Sequence, residues 1–204
     1  MREFHHHRTY QVEKYKDSDF PQVWQLLIRS FPREELYAKE VMADHLREEQ
    51  SETWLLKYEQ DKLALVLITH KMQDFYFIEY LAVSPELRGQ GLGGAFMRHF
   101  RMALNKAILF ESELPHTEIA KKRLKFHQSC GFQILDLSYA MPAVRPDTDP
   151  IPMHVLASSP QKISEEVLPD ILQEAIEEVY TEVYSEVIDL PQNQELLSDS
   201  DSEF

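Results

Sequence analysis

Four of the chain's five glycines fall within six residues, as Gly89, Gly91, Gly93 and Gly94. They lie between an apolar run, Phe75 to Val83, and an amphipathic one with Leu92, Phe96, Phe100 and Leu104 on its inner face. That order predicts a strand, a glycine-rich bend and a helix. Glycine lets the main chain approach a ligand closely and turn tightly. The helix start offers unpaired N–H groups and a partial positive charge, which suit phosphate oxygens. Arg88 adds a formal charge. A pyrophosphate-bearing molecule fits such a loop; a tight turn without a ligand is the plain alternative.

The flanking sequence narrows the fold. Arg8 to Lys16 reads as a first strand. Asp17-Ser18-Asp19 caps a helix with Phe20, Val23, Leu26, Leu27 and Phe31 at helical spacing. Pro32 opens a second helix striped by Leu36, Val41, Met42 and Leu46. Trp54 to Tyr58, Leu63 to His70 and Phe75 to Val83 form an antiparallel meander with short connections. The last of these strands is apolar on both faces. Phe75, Phe77, Leu81 and Val83 point one way, and Tyr76, Ile78, Tyr80 and Ala82 the other. Glu79 interrupts it on the face of Phe77 and Leu81. An acid there costs about 3 kcal/mol unless it is paired, solvated or neutral. Glu79 therefore either lines a wet cleft or pairs with an arginine, or it is a catalytic carboxylate. Beyond the glycines come a helix, a strand from Ala107 to Phe110 ending in Glu111-Ser112-Glu113, and a helix from Thr117 to Cys130 closed by Gly131. Strands Phe132 to Tyr139 and Met153 to Leu156 come next, around a proline-rich excursion, Met141 to Pro152.

Charge separates the chain into parts. The net charge is −14, yet the segment after Ser164 holds thirteen acids and no Lys or Arg, leaving residues 1–163 at −1. A basic nucleic-acid surface is excluded for the whole. The C-terminal helix, striped by Leu168, Leu172, Ile176, Val179, Val183 and Val187, is too acidic for an anionic membrane. It is expected to dock on the body, with Tyr180 and Tyr184 extending the contact, or on a second subunit in a homodimer. The expected division is a domain over 1–158, this acidic helix over 159–189 and a disordered tail over 190–204. The N-terminal residues are too polar for a secretory signal and no apolar run spans a bilayer, so a soluble, cytoplasmic protein is expected. Cys130 is alone, and His5-His6-His7 has no partner ligand at helical spacing, so no metal is expected. Cys130 reads as packed rather than nucleophilic.

Gly89, Gly91 and Gly94 also satisfy the dinucleotide pattern GxGxxG, but they begin six residues past the strand and come after a meander rather than a βαβ series. The fuller match is elsewhere. Leu81-Ala82-Val83-Ser84-Pro85-Glu86-Leu87-Arg88-Gly89-Gln90-Gly91-Leu92-Gly93 resembles motif A of the GNAT N-acyltransferases, with Arg88, Gly91 and Gly93 at its defining positions. Lys125-Phe126-His127-Gln128-Ser129-Cys130-Gly131-Phe132 resembles that family's later motif. Element order agrees over residues 8–157. Glu111 to Pro115, Ala120 to Arg123, Met141-Pro142 and Ile151-Pro152 are similar to a bacterial, uncharacterised subgroup.

The resemblance implies an α/β fold with a mixed, mostly antiparallel sheet flanked by helices and splayed between its fourth and fifth strands. It implies acetyl-CoA as co-substrate, with Leu81, Ala82 and Val83 pairing with pantetheine. Arg88, Gly89, Gln90, Gly91, Leu92, Gly93 and Gly94 would hold the pyrophosphate. Acetyl transfer is direct in such enzymes, to a small-molecule amine or peptide N-terminus in a ternary complex. Such an amine has a pKa near 10 and needs a base. Glu79 is the best candidate, because Ile78-Glu79-Tyr80-Leu81-Ala82-Val83 is similar to the strand of glucosamine-6-phosphate N-acetyltransferases that carries a functional acid. Burial is expected to raise its pKa. Glu111 and Glu113, across the split, would bind a cationic substrate or serve as an alternative base; a solvated strand end is the other reading. His127 stands where relatives carry a tyrosine that protonates the thiolate. It would donate that proton, or be a surface histidine with the role passed to water or Tyr139. A catalytically silent module that binds acyl-CoA or a partner is the alternative function.

Overall fold

The computed structural model describes residues 8–104, 106–159 and 168–198. The expectations for His5 to His7 and for residues 199–204 lie outside them. In chain order the elements are β1 (Tyr10–Lys14), α1 (Phe20–Ile28), α2 (Lys39–His45), β2 (Ser51–Tyr58), β3 (Lys62–Lys71) and β4 (Phe75–Val83). Then come α3 (Leu92–Leu104), β5 (Ala107–Glu113), α4 (Glu118–Ser129), β6 (Gln133–Ile134), β7 (Ala140–Met141), β8 (Ile151–Ser158), α5 (Leu168–Glu178) and α6 (Gln194–Ser198). The strands lie in the order β1-β2-β3-β4-β5-β8-β6, with β7 also paired to β8. The pairings are antiparallel except β4 with β5. This is the mixed, mostly antiparallel sheet that the sequence implies.

Two apolar layers cover the sheet. One face packs with α1, α2 and the C-terminal segment through Leu27, Tyr37, Met42, Phe77, Tyr80, Val179 and Tyr184. The other packs with α3 and α4 through Met97, Phe100, Ile108, Phe110, Leu124 and Phe132. Cys130 is buried in this second layer.

Strand β4 departs from simple alternation. Against β3, Tyr80 pairs with Ile68 while Ile78 pairs with Thr69, so Glu79 is an extra residue. This bulge puts Glu79 and Tyr80 on one face and reverses the expected faces beyond it. Tyr80 and Ala82 join Phe75 and Phe77, and Leu81 and Val83 join Tyr76 and Ile78.

The parallel contact of β4 with β5 covers only Phe75–Ile78 against Ala107–Phe110. Extending that register by one residue would set Glu79 beside Glu111, with strands about 4.8 Å apart. The bulge and the opposition of two acids both work against it. The strands part at that point and leave the edge of β4 beyond Ile78 without a β5 partner.

Three further expectations change. The second helix is split into a short helical turn, Arg33–Glu35, and α2, because Leu36 is extended at φ −119° and ψ 130°. The predicted strand over 132–139 is reduced to the two residues of β6, and a separate two-residue strand, β7, forms just beyond it. Residues 191–198 are helical, where a patternless tail was expected. Their anchor is Asn193, fully buried, which exchanges hydrogen bonds with Ala143 (2.8 and 3.1 Å) and donates to Val187 O (2.8 Å). A single buried amide leaves no periodic apolar pattern to read.

Asn193→Ala removes three bonds and leaves buried main-chain groups unpaired. It should lower stability by about 2 to 3 kcal/mol in urea unfolding. An unchanged midpoint would show that the segment does not anchor there.

Candidate active site

A cleft of about 690 Å³ opens where β4 and β5 part. Its walls include Glu79 to Val83, Arg88 and Gly89 on one side, and Phe110 to Glu113, Phe126 and His127 on the other. Phe31 and Glu35 come from the loop after α1, and Tyr184 from the C-terminal segment.

The glycine loop forms the upper end. Gly89 and Gly91 have φ of +76° and +78°, and a Cβ added at either would meet nothing within 4 Å. The main chain there is strained for other residues and faces open space. Gly93 starts α3 against the strand; a Cβ would come within 3.2 Å of Val83 Cγ2. Arg88 donates from Nε to Val83 O (3.0 Å) and from Nη2 to Ser30 Oγ (2.9 Å), which ties the loop to β4 and to the turn after α1. Arg88 and Gly89 of the loop and the strand edge at Leu81 to Val83 line one side of the cleft.

Glu79 is held below it. Its Oε2 accepts from Nε2 of His45 (2.9 Å) and Nε2 of His70 (2.8 Å), and its side chain is 2 % exposed. Burial alone would raise its pKa, as expected from sequence; the His45 charge and the hydrogen bonds from both imidazoles reverse this and lower it to about 2. Burial alone would lower His45, but Glu79 and Glu48 raise it to about 10. The missed element is this histidine pair, brought in from α2 and β3. These three side chains also form a set able to ligate a metal. Their separations of 2.8 and 2.9 Å are those of hydrogen bonds. They are shorter than the roughly 3.3 Å between ligands around a shared tetrahedral zinc.

Glu111 has a different environment. Its carboxyl accepts from Tyr139 OH and, at 2.9 Å to each oxygen, from Tyr184 OH. Burial pushes its pKa up, the two phenols oppose this, and the charges of Glu79 and Glu35 add to it, for a value of about 8. Glu35, also in the cleft, is raised to about 7 by burial against the pull of Arg123, with Glu113 and Glu34 adding to the rise. Glu113 is paired with Arg123 at 2.7 Å. Tyr139 lies behind Glu111, stacked on Tyr180 at 5.4 Å, and its pKa is raised well above the usual value by burial and by Glu111. His127 is buried against Phe110 and Phe126, with ring centroids at 4.6 and 5.1 Å. Burial and Arg123 lower it to about 4, so it is neutral at pH 7.

The family model for "Acetyltransferase (GNAT) family" matches residues 20–132, which span β4, the glycine loop, α3, β5 and α4. The chain belongs to that GNAT family. YjbC of Bacillus subtilis (strain 168), described only provisionally as an acetyltransferase, is 31 % identical over 112 residues, 54 % of this chain and 56 % of that one. The match thus spans little more than half of that relative. A GNAT-family protein of Bacteroides thetaiotaomicron, also named provisionally as an acetyltransferase, superposes with a TM-score of 0.72 at 25 % identity, over 85 % of this chain and 98 % of that one. The ribosomal-protein-S18-alanine N-acetyltransferase of Escherichia coli shares the fold, with a TM-score of 0.57 at 20 % identity, over 77 % of this chain and 97 % of that one. GNAT members use acetyl-CoA, and the open glycine loop and free strand edge fit such a molecule. Among the described residues no helix is long and apolar enough to cross a membrane.

The Glu79–His45 pair has a readable pH signature. Glu79, lowered to about 2, stabilises the fold above its ordinary value of 4.5, and this is lost as pH falls toward 2. His45, raised to about 10, stabilises below its ordinary 6.5, and this is lost as pH rises through 10. Glu79→Gln removes the closer carboxylate from the buried His45 imidazolium, leaving it only Glu48 at 3.4 Å, and should cost up to about 3 kcal/mol near pH 5.5. Urea unfolding should show a smaller difference at pH 3 and pH 9.5. A difference independent of pH would contradict the ion pair.

Proposed function

We propose that this protein is an acetyl-CoA-dependent N-acetyltransferase, acting on an amine of a small molecule or a peptide N-terminus by direct attack in a ternary complex. The observation that carries the reading is a carboxyl, Glu111, poised near neutrality in a split whose wall also holds Arg88 and Gly89 of the glycine loop. Acetyl-CoA supplies an acyl carbon activated as a thioester.

The amides of Gly89 to Gly94, with Gln90 and Leu92 among them, and the Arg88 guanidinium would hold its diphosphate. Leu81, Ala82 and Val83 would hydrogen-bond its extended arm as an added strand does. An alkyl ammonium has a pKa of about 10. Passing its proton to Glu79, near 2, is uphill by about 8 pKa units, roughly 11 kcal/mol. Passing it to Glu111, near 8, is uphill by about 2 units, roughly 3 kcal/mol. Glu111 is therefore the proposed base, directly or through one water, and Glu79 the fixed charge that helps set it. Glu35 and the paired Glu113 offer negative charge to a cationic acceptor. Glu111 takes one proton from the ammonium before attack. As the C–N bond forms and the C–S bond breaks, the nitrogen's second proton passes to the departing thiolate, directly or through one water, giving the amide and the free thiol. The thiolate, with a pKa of about 8.5, leaves without a strong acid. Neutral His127 can donate at most a hydrogen bond to it.

Free-thiol release from acetyl-CoA, monitored over a library of amines, tests the assignment; release with none of them would favour an acyl-CoA-binding module. With an active amine, kcat/KM should rise with pH to a plateau above about 8, because only ionised Glu111 accepts a proton. Glu111→Gln should cost about 10² to 10⁴ in kcat/KM and abolish that limb. Full activity in this variant would remove Glu111 from the chemistry. Gly91→Val, strained at φ +78°, should weaken coenzyme A binding at least about tenfold in calorimetry.

A further inference from the structure

We propose that Tyr184 is a positioning residue for Glu111, so that the C-terminal segment, which lies beyond the family-matched region, is a working part of the active site. The inference rests on the reading of Glu111 as the base. Tyr184 comes from residues outside the matched span 20–132, yet its hydroxyl reaches both Glu111 oxygens at 2.9 Å and its ring forms part of the cleft wall. The local backbone is built for this. After α5 the chain widens into a π turn over Val179–Val183, and Tyr184 N–H bonds Val179 O at 3.3 Å. One extra residue in a turn rotates the succeeding side chains by about 100° relative to a regular helix. Val179, Tyr180, Val183 and Tyr184 are all buried against the sheet.

The same segment holds the loop beside the site. Tyr180 OH donates to Ala140 O (2.9 Å), Gln192 donates to Arg145 O and Thr148 O (3.1 Å each), and Asn193 grips Ala143. The Tyr180 ring also backs Tyr139, the other phenol on Glu111. The groups around the Glu111 carboxyl are thus Tyr139 from the loop before β7, Tyr180 and Tyr184 from the C-terminal segment, Glu79 and Tyr80 from β4, and Glu35 and Tyr37 from the segment between α1 and α2. Of these, Tyr184 alone bonds both oxygens. A phenol donating to a carboxylate favours its ionised form, so it both orients the base and keeps it from becoming too weakly acidic to ionise.

The test is a carbon-13 titration of the Glu111 carboxyl, assigned with Glu111→Gln, in the full chain and in Tyr184→Phe, alongside pH profiles of kcat/KM. Tyr184→Phe should move the Glu111 midpoint up by roughly one unit. The kcat/KM limb should move by the same amount, and much of the activity should return at high pH. A merely structural role would lower activity at every pH without moving the midpoint, and that result overturns the inference. If the carboxyl midpoint moves but the kinetic limb stays, Tyr184 still sets Glu111 and it is the base assignment that falls. The wild-type protein gives an independent readout should the variant fold poorly. The Tyr184 ring carbon bearing the hydroxyl should shift with the Glu111 midpoint, and a flat response there also overturns the proposal.

Discussion

The parting of β4 from β5 after four paired residues is the constraint on which the rest of the structure depends. Its cause is local. The next pair in register would be Glu79 with Glu111, and Glu79 is also the bulged residue against β3. A sheet that closed there would bring two acids together in a low-dielectric layer and lose the free edge at Leu81 to Val83. Parting instead exposes that edge, leaves Arg88 and Gly89 of the glycine loop on the wall of the gap, and gives each acid its own surroundings.

Those surroundings divide the work of two identical side chains. Two imidazoles, from His45 and His70, hold Glu79 ionised below the cleft. Phenols with no charge of their own hold Glu111, so burial and the nearby Glu79 and Glu35 dominate and its proton is retained to about pH 8. In the proposed mechanism one carboxyl is a fixed charge and the other a proton acceptor matched to neutral conditions. The same two-sided packing explains why the C-terminal segment is ordered. Tyr180 and Tyr184 bring hydroxyls to Ala140 and Glu111 while their rings complete an apolar layer.

Much of the framework was legible because it rests on short-range signals. Apolar period, turn residues and the helix-closing Gly131, found at φ +93° just past α4, give the elements around the glycine loop. Glu79 was conspicuous as an acid in an apolar strand, and Glu111 and Glu113 as acids at a strand end. Their partners were not legible, because His45, His70, Tyr139 and Tyr184 are distant in sequence and nothing local marks them as neighbours of a carboxyl. The bulge at Glu79 was hidden for a related reason. A strand apolar on both faces has no alternation to interrupt, so the reversal beyond Glu79 leaves no trace in the pattern. Asn193 and the helical turns after Leu190 depend on one buried amide rather than on a period.

The most direct measurement is a crystal structure of the protein with coenzyme A. The diphosphate should lie on the main-chain amides of residues 89–94. The pantetheine arm should lie along Leu81 to Val83 between the parted strands, with its thiol directed toward the Glu79 and Glu111 end. Coenzyme A bound elsewhere, or a gap between β4 and β5 closed over side chains, would contradict the account.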